Sequence, residues 1–138
     1  MKIMVIDGQG GGIGAAIIKG IRENLGDALE ILALGTNSIA TSRMMKAGAN
    51  RGGTGENAIV SSSRKADIIA GPLGILITDA MMGEVTAAIA AAVGSCSARK
   101  ILIPLTQEPV KVVGVSGDPL PHLVLKVVEM IREVQSDV

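Results

Sequence analysis

The residues best suited to chemistry form one cluster near the start of the chain: Gly8, Gln9, Gly10, Gly11, Gly12, Ile13 and Gly14. Glycines at this density let a backbone turn tightly and come close to a ligand. A helix that starts among them directs its unpaired amides at an anion. The chemistry implied is the holding of a phosphate by main-chain N–H groups. The flanks agree: Lys2 to Asp7 is a mainly apolar run, and Ile13, Ile17, Ile18, Ile21 and Leu25 then recur at three- and four-residue spacing. That order is strand, turn, helix. A tight strand-to-helix turn with no ligand is the plainer reading of the same glycines.

Spacing narrows the chemistry. A G-x-G-x-x-G fingerprint is absent, because Ile13 stands where Gly8 and Gly10 would need a third glycine. Gly8, Gly12 and Gly14 give G-x-x-x-G-x-G instead, which resembles the dinucleotide loop of the short-chain dehydrogenase superfamily. Those enzymes move a proton with a Tyr-x-x-x-Lys pair, and this chain has no tyrosine, so that mechanism is excluded. Gly11-Gly12-Ile13-Gly14 also resembles the loop of partition-type ATPases. There a lysine and a hydroxyl residue follow the last glycine, whereas here Ala15 and Ala16 do. Neither the β/γ-phosphate cation nor the Mg²⁺ ligand is present, which argues against ATP hydrolysis.

Other residues qualify as partners of the glycine loop. The second strand is expected to end in Leu34, Gly35, Thr36 and Asn37, without the acid that usually receives ribose hydroxyls in NAD sites. Thr36 and Asn37 could bond a ribose or cap the next helix, and Arg43 or Arg51 could meet a 2′-phosphate. A glycine-rich connection, Asn50 to Asn57, reads either as a solvated crossover or as a second anion-binding loop. In the latter reading Arg51, Glu56 and Asn57 complete the pocket. Gly71, Pro72, Leu73 and Gly74 follow the fourth strand and should face the same crevice. Asp79 is a helix N-cap or a ligand contact, and with Glu56 it is the weak candidate for proton transfer. Cys96 and His122 read as structural, and a single cysteine with a single histidine offers no zinc site.

These residues must be positioned by elements that the remaining sequence predicts. Strands are expected at Lys2–Asp7, Leu29–Leu34, Ala58–Val60, Asp67–Ala70, Lys100–Leu105 and Val110–Val115. Helices are expected from Ile13 to a stop at Gly26, from Ser38 to Ala47, from Thr78 or Asp79 to Ser95, and from Pro119 onward. Ile75 to Ile77 is a strand extension or an apolar loop. The alternation gives an α/β fold: a Rossmann-like three-layer sandwich with a mainly parallel sheet of five to six strands, strand one central, in one domain over residues 1–138.

Composition sets the outer limits. Lysine and arginine total 13 against 13 acids, so no basic field exists to gather nucleic acid or an anionic membrane surface. Hydrophobic residues reach 48% and the mean hydropathy is +0.47. The apolar stretches are broken by Gly71-Pro72 and Asp79 or are alanine-rich and short, so the excess points to a homo-oligomer rather than a membrane span. The alanine-rich helix before Ser95 is the expected interface. With Met1 leading straight into a strand and Cys96 unable to form an intramolecular disulfide, the cytoplasm is the expected compartment. Phe, Tyr and Trp are all absent, so the core must be aliphatic.

Across nearly its whole length the sequence resembles a family of short bacterial Rossmann-like proteins known only as a domain of unknown function. The resemblance is carried by Val5 to Gly14, Ala33 to Asn37, Ala47 to Arg51, Thr54 to Ala58, Gly71 to Ile75 and Ile101 to Leu105. It implies the fold and no activity. The expected function is binding of a nucleotide or dinucleotide, NAD(P) or another, through residues 8–14. A reductase or transferase working without tyrosine is one alternative. A non-catalytic oligomeric sensor or subunit for a small anionic ligand or a protein partner is the other.

Overall fold

A computed structural model describes residues 1–137. Its strands are β1 (Lys2–Asp7), β2 (Glu30–Gly35), β3 (Arg51–Thr54), β4 (Ile68–Pro72) and β5 (Arg99–Ile103). Its helices are α1 (Gly12–Leu25), α2 (Ser38–Lys46), α3 (Glu56–Ser63), α4 (Ala87–Ser95) and α5 (Leu120–Ser136). The five strands form one sheet in the order β3-β2-β1-β4-β5, and every pairing is parallel. The α/β Rossmann-like reading holds, with five strands and β1 at the centre.

A central parallel strand is covered on both faces, which is why β1 is a continuous apolar run. Ile3 and Val5 join one core with α1, α2 and α5 through Ile17, Ile21, Met44 and Val127. Met4 and Ile6 join the opposite core with Ile59, Ile75, Ile89 and Val93. Aliphatic side chains fill both layers. Gly20 of α1 lies where a Cβ would collide with Val124 of α5, so the two helices approach closely.

Three expected elements are different in the structure. The third strand is Arg51–Thr54, and Ala58 to Val60 belong to α3. The sequence Arg-Gly-Gly-Thr carries no apolar signal because β3 is an exposed edge strand, paired to β2 through Leu32–Arg51 and Leu34–Gly53. Gly52 leaves room for Met45 Sδ and Thr41 Cγ2, which would stand 2.9 and 3.0 Å from a Cβ there. Neighbouring strands and helices impose this conformation against a weak local preference.

The helix expected from Thr78 or Asp79 starts only at Ala87. Thr86, not Asp79, is its N-cap, accepting the Ile89 amide at 3.2 Å. Asp79, Met81 and Met82 have φ of 69°, 57° and 57°, which no α-helix accommodates. Of Ile75 to Ile77, Ile75 and Leu76 lie in a 3-10 turn, Leu73–Leu76, and Ile77 follows in a bend, so the segment is not a strand extension. Finally, Val110–Val115 is irregular and exposed rather than a sixth strand. Pro109 withholds a donor at its start and Gly114 turns the backbone to a φ of 88°. No helix among the described residues is long and apolar enough to cross a membrane.

Candidate functional site

All five strands end on one side of the sheet, and the order reverses at β1, so the loops after β1 and β4 part there and leave a crevice. A cavity of about 390 Å³ lies in it, within the usual range for small-molecule sites. Its lining is Asp7 through Ile13 from the end of β1 to the start of α1, Pro72 at the end of β4 and Gly74 after it, Met81, and Leu105 through Glu108 after β5.

The β1–α1 turn is tightened by the Gly11 amide, which donates to the Gly8 carbonyl at 2.9 Å. Gly11 itself, the residue before α1, has a φ of 72°, and a Cβ there would stand 2.8 Å from Ala40 Cα. No side chain of the turn caps α1. Asp7 does so from the strand end: its carboxylate accepts the Gly8 and Gly14 amides, each at 2.7 Å. Asp7 is only 4% exposed. Burial pushes its pKa up, the amides of Gly14 and Gly8 oppose that, the charge of Glu84 adds to it, and the net direction is upward. The Asp7 side chain therefore already occupies two of the amides at the start of α1.

A second carboxylate reaches the turn from the far side of the chain. Glu84 Oε1 accepts the Gln9 amide at 2.9 Å, the Thr36 hydroxyl at 2.6 Å and the Asn37 side-chain amide at 2.7 Å. Partial desolvation pushes the Glu84 carboxyl up, but the bonds from Thr36, Gln9 and Asn37 outweigh it and the net direction is downward. A cation, Arg43 on α2, also reaches the loop. Its guanidinium donates to the Gly10 carbonyl at 3.4 Å and would stand 3.4 Å from a Cβ at Gly12.

The residues singled out in the sequence fall into two groups. Gly8 to Gly14 and Pro72 line the cavity, with Gly71 buried beside Ile6, against whose carbonyl a Cβ would collide. Gly35, Thr36 and Asn37 stand at the end of β2 beside the turn: Thr36 donates its amide to the Asp7 carbonyl at 3.0 Å, and Asn37 caps α2 through the Ala40 amide at 2.9 Å. The second group lies apart. Arg51 opens β3, far along the strand from its C-terminal end, and pairs with Glu30 at 2.6 Å. Glu56 begins α3 and accepts the Thr86 hydroxyl at 2.5 Å, Asn57 is exposed on the same helix, and Asp79 is exposed in the loop before α4. None of the four lines the cavity. The connection read as a second anion loop is an edge strand, and Asn50 at its start receives Arg22 and the Ile31 amide, both at 2.8 Å.

Asp7, Glu84 and the Thr106–Glu108 stretch were not among the residues the sequence nominated. Asp7 carried a usable signal, since an acid at the end of a wholly buried strand must find donors. Glu84 carried none, because a helix expected across residues 79–95 would turn it away from β2. Among the described residues no group of histidine, cysteine or acid side chains is arranged to hold a metal.

Sheet order, crevice and glycine turn together define a Rossmann-like α/β protein. The chain belongs to the family described as "Domain of unknown function (DUF3842)", which matches residues 2–136. A search of curated proteins finds no match. Among solved structures it is similar to a dodecameric FMN-dependent Ubix-like decarboxylase from Escherichia coli O157:H7, with 15% identity over 96% of this chain and 95% of that one and a TM-score of 0.48. At that distance neither the cofactor nor the assembly of that protein transfers to this chain.

Proposed function

We propose that the crevice binds a nucleotide, or one half of an NAD(P)-like dinucleotide, with its phosphate at the β1–α1 turn. The observation that supports this best is the cavity itself, placed where the strand order reverses and lined by seven consecutive residues of that turn. The Gly8 and Gly14 amides are engaged by Asp7, the Gln9 amide by Glu84 and the Gly11 amide by Gly8. The phosphate would therefore meet the Gly10 and Gly12 amides, with the Arg43 guanidinium above them. The base would rest on Met81, Leu105 and Pro72, aliphatic surfaces in a chain without aromatic rings.

The missing aromatics give a clean test. Without Trp, Tyr or Phe the polypeptide is nearly transparent in the near ultraviolet. Purified, nuclease-treated protein should retain near-ultraviolet absorbance that is released on unfolding and identified by mass spectrometry as a nucleotide. A transparent sample whose melting temperature no added nucleotide raises would overturn the reading.

A non-catalytic oligomeric subunit is the second reading. It is favoured by the exposed Val110, Val112, Val113 and Val115, the third of these fully exposed, and by Leu125 and Met130 of α5. Self-association through that segment, rather than through the alanine face of α4, should appear in light scattering as a multiple of the 14.0 kDa chain mass. Val113→Asp should lower it, and a monomeric wild type would refute it.

A further inference from the structure

Three hydrogen-bond donors from two strand ends converge on one atom, Glu84 Oε1, and the side chain or backbone that carries each is held by something other than Glu84. The Asn37 side chain is fixed because its oxygen caps α2 at 2.9 Å while its nitrogen also meets the Gln9 carbonyl at 3.0 Å. The Thr36 amide is tied to the Asp7 carbonyl at 3.0 Å. Gln9 sits in the turn closed by Gly11 and Gly8, with a φ of 49°. The scaffold thus presents an oxyanion receptor, and the occupant comes from elsewhere.

That occupant arrives on a loop with strained backbone. Asp79, Met81 and Met82 all have left-handed φ, and Met82 is 96% exposed. Non-glycine residues in that region carry backbone strain. The loop is held closed by the Asp79 amide on the Val85 carbonyl at 2.7 Å and the Met81 amide on Glu108 at 2.8 Å. We propose that the Gln9 amide, the Thr36 hydroxyl and the Asn37 side-chain amide form an anion subsite, that Glu84 fills it from within the chain, and that a phosphate or carboxylate enters by displacing Glu84.

Exchange is the route into this subsite because all three donors are already taken by Glu84 Oε1, and replacing one anion by another leaves the charge on them nearly unchanged. The lowered pKa of Glu84 shows that the three donors favour a negative charge there. The subsite adjoins the cavity through Gly8 and Met81: a Cβ on Gly8 would stand 3.0 Å from Glu84 Oε1 and 2.6 Å from Met81 Sδ. The inference rests on the proposed crevice only for the placement of the rest of the ligand.

The test uses inorganic phosphate and acetate, followed through the Gln9 backbone and Asn37 side-chain resonances in amide NMR spectra. Glu84→Ala should bind one or both at least about tenfold more tightly than wild type, with both resonances moving. Adding Thr36→Val should remove most of the gain. Phosphate and acetate together separate the two ligand chemistries. Unchanged or weaker binding in Glu84→Ala would overturn the proposal, and weaker binding would mark Glu84 as a direct ligand contact. Should Glu84→Ala fail to fold, Glu84→Asp, shorter by one methylene and still charged, must show tighter binding than wild type or the proposal fails. No nucleotide is used, so failure of the nucleotide reading and failure of the subsite remain distinguishable.

Discussion

The Gly14 amide donates to Asp7 Oδ2 at 2.7 Å across seven positions of sequence, and this bond closes the glycine turn over the end of β1. It requires α1 to lie against the strand end, and a Cβ on Gly14 would stand 2.5 Å from Met44 Sδ and 2.9 Å from Asp7 Cβ. Gly14→Ala should therefore destabilise the fold by about 1–3 kcal/mol in urea denaturation, although alanine is the better helix former. Gly10→Ala is the control. Its Cβ would meet only Arg43, at 3.8 Å, and stability should change by less than about 0.5 kcal/mol.

Asp7→Asn keeps the shape and removes the charge. One asparagine oxygen cannot serve the two amides that Asp7 accepts, so either Gly8 or Gly14 faces an NH₂ donor. Relief of the buried charge offsets part of that loss, and the net cost should be about 1–3 kcal/mol by denaturant unfolding. An unchanged or increased stability would show that burial of the charge outweighs the hydrogen bonds.

The two carboxylates beside the turn give opposite pH dependences. Asp7 has a folded pKa raised above its ordinary 3.8, so its contribution is complete below that value and is lost as pH rises through the folded pKa. Glu84 has a folded pKa lowered from 4.5, so its contribution is present above 4.5 and is lost as pH falls through the folded pKa. Relative to wild type, Glu84→Gln should lose the rise in stability that Glu84 supplies as pH climbs to 4.5, so below that pH its stability should fall more steeply with rising pH. Asp7→Asn should lack the gain that Asp7 supplies as pH drops to 3.8 through its raised folded pKa, so over that interval its stability should fall more steeply with falling pH. Urea midpoints across the acid range would show the two slopes.

The β1–α1 unit was legible because hydrophobic period, glycine turn and helix stop agree over Lys2 to Gly26, and local and tertiary preferences coincide there. β3 was not legible. Arg51 to Thr54 has the composition of a loop and becomes a strand because β2 offers an open edge while Thr41 and Met45 leave room only for glycine at Gly52. The loop before α4 was masked by the opposite effect. Met81, Met82 and the following alanines suit a helix, yet the bond from Glu84 to the β2 end and the left-handed Asp79, Met81 and Met82 stop one from forming. Half of the candidate site was therefore readable as motif. The other half, Glu84 and Thr106 to Glu108, depends on where loops distant in sequence return.

Two arginines separate the observed crevice from the loop the sequence suggested. Arg51 pairs with Glu30 at the exposed edge, so Arg51→Met should change stability by less than about 1 kcal/mol and leave ligand affinity unaltered. Arg43→Met, by contrast, should weaken binding of a phosphate-bearing ligand about tenfold or more, since it removes the cation above Gly10 and Gly12. Equal effects in calorimetric titration would place the ligand elsewhere.

The central claim is most directly tested by calorimetric titration of wild type and Gly10→Val with ADP and NAD⁺. Gly10 lines the cavity and has no left-handed φ, so valine can narrow the crevice without backbone strain. Wild type should bind at least one of the two saturably, one per chain. Gly10→Val, with its urea midpoint near the wild-type value, should bind it at least about tenfold more weakly. Absence of binding to wild type, or equal affinity in the variant, would contradict nucleotide binding at the β1–α1 turn.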